Sequence, residues 1–173
     1  MTHHHFKAPW GRALIIVSLF STLLLVAVAI VMATGGQQPW FISLPRMSSQ
    51  AFAVTLALLL PAGALPFIIR GYTITGDSIL IHRLWWNTVL PLKEIRSVEA
   101  EPLAMSGSFR TCGNGGLYSF TGWYWSRELG RFHAYVTDLH RTVVVRMNRR
   151  TAVLSPDDPE NFTRIIESLL HHT

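Results

Sequence analysis

From Ala13 to Thr34 the chain runs for twenty-two residues without a charge, and thirteen of them are Leu, Ile, Val or Phe. No other feature restricts the fold as much. As an α-helix the run is ~33 Å long, enough to cross a ~30 Å hydrocarbon layer. At ~0.3–0.6 kcal/mol each, the large apolar residues contribute roughly 4–8 kcal/mol of insertion energy. The run is longer than the apolar stretch of a cleaved signal peptide, and no small-x-small site ends it. The reading is therefore a retained transmembrane helix over 13–34, preceded by an N-terminal cytoplasmic tail over 1–12.

A second uncharged run of nineteen residues, Ala51 to Ile69, contains Pro61, Gly63 and Pro66. Prolines weaken the hydrogen-bond ladder but are tolerated in membrane helices, where neighbours re-satisfy the freed carbonyls. The expectation is a second, kinked span over 51–69, with a re-entrant loop turning at Pro61 as the alternative. The connecting loop, 35–50, carries Trp40, Phe41 and one charge, Arg46. Trp10 and Trp40 bracket the first run as an aromatic belt would. Lys7, Arg12, Arg70 and Arg83 flank the outer ends of the two runs, against Arg46 between them. Positive-inside bias then gives a multi-pass protein of the cytoplasmic (inner) membrane with both termini cytoplasmic.

Composition divides the chain near Arg70. All ten acidic residues lie at or after Asp77, and twelve of the fifteen basic ones at or after Arg70. Residues 70–173 thus carry twelve minus ten, or +2. That charge, spread over a hundred positions, forms no basic stripe of the kind a phosphate backbone requires, so nucleic acid is not an expected partner. Cys112 is the single cysteine, which excludes a disulfide scaffold.

Residues 70–173 read as short strands followed by a helix. Tyr72–Thr75 and Ser78–His82 flank Gly76-Asp77, a hairpin signal. Trp86–Leu92 continues the strand pattern, and 93–99 alternates with a slip between Ile95 and Val98 that a bulge would absorb. Gly130–Val136 and Arg141–Asn148 read as a second hairpin across 137–140, and Thr151–Leu154 as a last strand. Ser155 before Pro156, with Asp158 three residues on, reads as a helix N-cap. Phe162, Ile165, Ile166, Leu169 and Leu170 then make one buried stripe.

This order, with Val89-Leu90-Pro91-Leu92-Lys93-Glu94-Ile95-Arg96-Ser97-Val98 after the first hairpin and Ser155-Pro156-Asp157-Asp158-Pro159-Glu160 leading into the last helix, resembles the bacterial pleckstrin-homology (PH-like) domains. Gly115-Gly116-Leu117-Tyr118, Thr121-Gly122-Trp123-Tyr124 and Leu129-Gly130-Arg131-Phe132 resemble the middle of one branch of that family. The resemblance covers residues ~70–172. It implies an α+β protein: two N-terminal transmembrane helices, then a PH-like β-barrel or sandwich of about seven strands capped by a C-terminal α-helix. It is specific for fold and nearly silent on activity.

The remaining candidates are weighed on chemistry. Cys112-Gly113-Asn114-Gly115-Gly116 lacks the Lys-Ser/Thr that completes a phosphate loop and reads as a flexible loop whose glycines supply positive φ. Phosphoinositide-binding PH domains use basic residues around the first hairpin turn; here that turn, Thr75–Ser78, has none and one acid. His3–His5 read as a disordered end, and His133 and His140 beside Asp138 are too few for a metal site. There is no nucleophile elbow or paired carboxylate, and Cys112 has no sequence-adjacent base. No catalytic residue, metal ligand, cofactor or small-molecule substrate is assigned, and the expectation is a protein that is not an enzyme.

The interaction candidates are Phe120, Trp123, Tyr124, Trp125, Arg127 and Arg131. Consecutive residues of a strand point to opposite faces, so at least one of the three adjoining rings is expected outside the core. The expected function is a non-catalytic membrane protein whose cytoplasmic PH-like domain acts as a scaffold or protein-interaction module. An accessory or assembly subunit of a larger membrane complex is the alternative, and a peripheral anionic-lipid sensor the lower one. Its expected partners are the lipid bilayer and other membrane proteins or a second copy of itself.

Overall fold

The computed structural model describes residues 3–33 and 46–170. Strand β1 (His4–Lys7) opens the chain and is followed by helices α1 (Arg12–Ala33) and α2 (Arg46–Ala64) and a 3-10 turn at Leu65–Phe67. Then come β2 (Ile69–Ile74), β3 (Ser78–Arg83), β4 (Asn87–Pro91), a 3-10 turn at Leu92–Glu94, β5 (Ile95–Ala100) and β6 (Phe109–Gly115). β7 (Phe120–Ser126), β8 (Gly130–Val136), β9 (Val143–Met147), β10 (Thr151–Leu154) and α3 (Pro159–Leu170) complete it. The strands form a four-stranded sheet, β1-β2-β3-β4, and a six-stranded sheet, β5-β9-β10-β8-β7-β6. The described residues therefore hold ten strands where about seven were expected.

One added strand comes from the supposed tail. β1 pairs antiparallel with β2, Phe6 opposite Tyr72, so His4 and His5 belong to a sheet and not to a disordered end. The pairing holds because Phe6 is buried and meets the Phe162 ring edge-on at 5.0 Å. The Lys7 amide donates to the Asp157 carboxylate at 3.1 Å, and the Gly11 amide to the Thr137 carbonyl at 2.9 Å. Another comes from the glycine-rich stretch: Cys112–Gly115 lies in β6 and not in a flexible loop. Gly113 (φ +117) pairs with Gly122 (φ +130), and a Cβ on either would strike the backbone opposite. Only glycine fits both strands there.

The expected hairpin of Gly130–Val136 with Arg141–Asn148 does not form. β10 lies between β8 and β9, parallel to the first and antiparallel to the second. A tight turn, the Met147 amide donating to the Arg150 carbonyl at 2.9 Å, brings β10 back beside β9. The link from Val136 to Val143 then crosses the end of β10, where the Ser155 hydroxyl accepts from the Thr137 amide at 2.8 Å. Ser155 is thereby occupied and does not cap the helix. Asp158 does so, accepting from the Asn161 amide at 3.1 Å, with Pro159 as the first helical residue.

The sheets enclose one core between them and under α3, built from Tyr72, Ile79, Ile81, Val145, Phe162 and Ile166 among others. A second core, with Phe132, Val136, Val144 and Val153, lies on the other face of the six-stranded sheet beneath Ala104 and Met105. The Tyr72 hydroxyl donates to the Tyr135 carbonyl at 2.7 Å, and burial pushes its pKa up to about 12.

The helices depart from expectation at the second run. Among the described residues only α1 is long and apolar enough to cross a membrane; the apolar part of the second, Val54–Phe67, is shorter. α2 starts at Arg46 with a polar turn, and it gives way after Ala64 to a 3-10 turn containing Pro66, which has no N–H to continue the α-helical ladder. Ile69 already belongs to β2. α1 and α2 pack side by side, and the expected loop over 35–50, with Trp40 and Phe41, lies outside the described residues up to 45. Ile16, Leu19, Phe20 and Leu23 of α1 stand exposed, uncovered by protein.

Candidate functional site

Strand alternation divides the aromatic run of β7. Tyr124 is buried, stacks on Phe132 at 5.9 Å and donates to the Asn114 carbonyl at 2.9 Å. Phe120, on the same face, packs against that core. Trp123 and Trp125 take the opposite face. Trp123 meets His133 edge-on at 5.0 Å, and the Arg131 guanidinium lies 4.5 Å over its ring. Trp125 is 42% exposed and touches Phe109, 57% exposed, at 5.3 Å. Arg127 stands exposed in the turn after β7. The six sequence candidates thus fall into a core-facing pair, Tyr124 buried and Phe120 partly so, an outer face of Trp123, Trp125 and Arg131, and a separate Arg127. Phe109, which the sequence reading left out, completes the exposed face from β6, the edge strand of its sheet.

A different region gathers the unsatisfied buried side-chain polarity of the described residues. A cleft of about 490 Å³ opens between the two sheets beside the end of α2. Gly63, Ala64 and Phe67 form one wall; Arg83 enters from β3, His133 from β8 and Arg110 from β6, and Gly113 and Gly122 add backbone to its lining. The Arg83 side chain lies against the rings of Tyr135, Trp86 and Phe67 at 5.2, 5.5 and 5.7 Å. Cation–π contacts of this kind are worth ~1–2 kcal/mol when desolvated. They leave its Nε, a buried donor, without an acceptor. Neither ion pair among the described residues, Arg141–Asp138 or Arg146–Glu101, involves it.

Burial lowers the pKa of the Arg83 guanidinium, with Tyr135 opposing, yet an arginine stays cationic at neutral pH. Burial, then the nearby Arg83 charge, drives His133 from 6.5 down to about 4, so its imidazole is neutral at pH 7. Its Nδ1 is also buried without a partner. His140, by contrast, is exposed near the loop after β8, its amide held by Asp138 at 3.0 Å. No group of three metal-ligating side chains occurs among the described residues.

Beside this cleft, Trp86, which the sequence reading placed in a strand, lies in a turn against Arg83 and Phe67. Leu84, Trp85 and Trp86 form the β3–β4 turn; Trp85 is 73% exposed, and Trp86 meets Phe67 edge-on at 5.6 Å. The available signal was an apolar Leu-Trp-Trp where a turn should be polar. The β6–β7 turn reaches α1: the Ser18 hydroxyl donates to the Gly116 carbonyl at 3.0 Å and accepts from the Tyr118 amide at 2.9 Å. Thr22, one turn further, shares a hydrogen bond with the Tyr118 hydroxyl at 3.1 Å. Trp10 is near the same tyrosine, ring centres 6.3 Å apart. The first hairpin turn, in contrast, is satisfied internally, Thr75 donating to Asp77 at 2.9 Å.

No curated protein and no solved structure matches the chain. A family model described as a bacterial PH domain matches residues 70–170, more than half of the sequence, from the second strand of the first sheet to the last residue of α3. The chain belongs to the bacterial PH domain family.

Proposed function

We propose that this chain is a non-catalytic membrane protein that holds a PH-like protein-interaction module against the cytoplasmic face of the membrane. The observation that carries this is the position of β1. The strand before α1 and the strand after α2 are hydrogen-bonded neighbours, so the two packed helices leave from and return to one sheet. If α1 crosses the bilayer, α2 must bring the chain back, which gives two spans and both termini on one side. Lys7, Arg12 and Arg70 on that side make it cytoplasmic. The bare apolar surface of α1 supports membrane residence. The shorter apolar part of α2 is supplemented by its packing on α1 and by Phe67 with Trp86 at its base.

The interaction surface we assign is the exposed face of β6 and β7, with Trp125 and Phe109 at its centre and Arg131 stacked on Trp123. Exposed aromatic and arginine side chains beside an unpaired strand edge suit a protein partner, a second copy included. A reporter fused after Thr173 is expected to be active only in a cytoplasmic form; activity outside the cytoplasm overturns the topology. Complexes captured gently from membranes are expected to lose their partner when Trp125 and Phe109 are both changed to Ser. Unchanged recovery of a folded double variant removes the surface. Added salt separates the lower reading, since headgroup attraction weakens with ionic strength and an apolar protein contact does not.

A further inference from the structure

Two buried side-chain polar atoms lack a hydrogen-bond partner among the described residues, Arg83 Nε and His133 Nδ1, and both residues line the same cleft at the end of α2. Arg83 is 8% exposed and faces three aromatic rings but no carboxylate. A buried cation without a counter-ion is expensive unless something arrives to pair with it. Arg110 offers a second guanidinium at the cleft wall, its Nη1 held by the Gly113 carbonyl at 3.0 Å. The helix side of the cleft is left open by Gly63, whose Cβ would meet nothing within 4 Å.

We infer that this cleft binds the phosphate of an anionic phospholipid, with Arg83 and Arg110 as its counter-ions. The shared chemistry is a phosphate oxyanion paired with guanidinium donors. A lipid source follows from the wall formed by Gly63, Ala64 and Phe67, which belongs to the base of the helix pair, and from Trp86 packed on Phe67 beside it. A headgroup reaches such a cleft without its acyl chains leaving the bilayer. The inference rests on the membrane reading above. The site is remote in the fold from the internally bonded Thr75–Ser78 turn, since β3 runs from Ser78 at that turn to Arg83 at the cleft.

The test uses the full chain reconstituted in nanodiscs of phosphatidylcholine containing one part in ten phosphatidylglycerol, and reads retained lipid by native mass spectrometry after release into detergent. The wild-type chain is expected to keep phosphatidylglycerol in preference to phosphatidylcholine. Arg83→Gln is expected to lower that retention about tenfold or more, as loss of a charge-assisted hydrogen bond does. Because Arg83 also packs on three rings, Gly63→Phe serves as a second variant that fills the cleft from the helix side while every guanidinium remains. Equal retention of both lipids, or undiminished phosphatidylglycerol retention in Gly63→Phe, overturns the site. If 10 mM inorganic phosphate displaces the lipid and protects the detergent-solubilised wild type against heat, but not Arg83→Gln, the cleft is a free-phosphate site and the lipid assignment falls. A chain that enters nanodiscs but keeps no anionic lipid defeats this inference alone. A chain that stays outside them defeats the membrane reading first.

Discussion

Two spaces border the sheets, and the chain treats them in opposite ways. Under α3, Phe162 and Ile166 are fully buried, Phe6 and Tyr72 meet Phe162 edge-on, and the Tyr72 hydroxyl has its acceptor in the Tyr135 carbonyl. At the end of α2, a cleft persists, lined in part by glycine backbone and by cationic and imidazole groups with unpaired nitrogens. The same tyrosine strand serves both: Tyr135 gives its carbonyl to the closed core and its ring to Arg83. Stability is concentrated where the packing is complete, and the capacity to bind is left where it is not.

The comparison is broken most severely at the closed side. Ile166→Asp places an unpaired charge in a fully buried position and is expected to destabilise the chain by ~4 kcal/mol or more, lowering the melting midpoint in detergent by roughly 10 °C. A midpoint within a degree or two of the parent shows that α3 is not docked as described. Phe6→Ala asks whether the first strand truly belongs to this core. Removing a buried ring is expected to cost ~3 kcal/mol, and a neutral effect detaches β1 from the domain.

The cleft side is sharpened by pH. His133 titrates near 6.5 unfolded and about 4 folded. Between those values the unfolded chain holds a proton that the folded one refuses, so this residue's contribution is intact above pH 6.5 and is lost as pH falls toward 4. The loss amounts to ~2 kcal/mol once screening at a partly exposed ring is allowed for. In His133→Gln, the denaturant midpoint measured at pH 7 and at pH 4.5 should differ less than in the wild type by that amount; equal pH dependence places the imidazole in water. The smallest effect belongs to Trp125→Ser, expected within about 0.5 kcal/mol of neutral for stability because the ring is surface-borne. A large destabilisation there would move Trp125 from the interaction face into the core.

Local signals carried much of this architecture into the sequence. Gly76-Asp77 between two β-prone runs marks the β2–β3 hairpin, and the slip at Ile95 is the register shift seen between Ile95 and Ser97 opposite β9. The stripe from Phe162 to Leu170 is the docked face of α3. What stayed hidden depended on long-range pairing. No local pattern tells that β10 will part β8 from β9, or that His4–Lys7 will find a partner beyond two helices. The N-cap was misplaced by three residues because Ser155 and Asp158 carry equivalent chemistry, and only the tertiary contacts with Thr137 and Tyr72 decide between them. Arg83 looked like one more flanking charge, since burial among rings contributed by three elements is invisible in the sequence.

The pairing of β1 with β2 also sets an order of events for a chain made from its amino terminus. His4–Lys7 is synthesised before the two helices, and its partner strand emerges only after both have been made. The first sheet therefore cannot be completed until the helical pair has been laid down with its two ends on one side. On the two-span topology proposed above, a chain that threads α1 the wrong way strands β1 across the bilayer from β2, and Phe162 then lacks the Phe6 ring that meets it. On the proposed topology, completion of the first sheet is thereby coupled to insertion, and a misinserted copy keeps an open core and an unpaired strand edge.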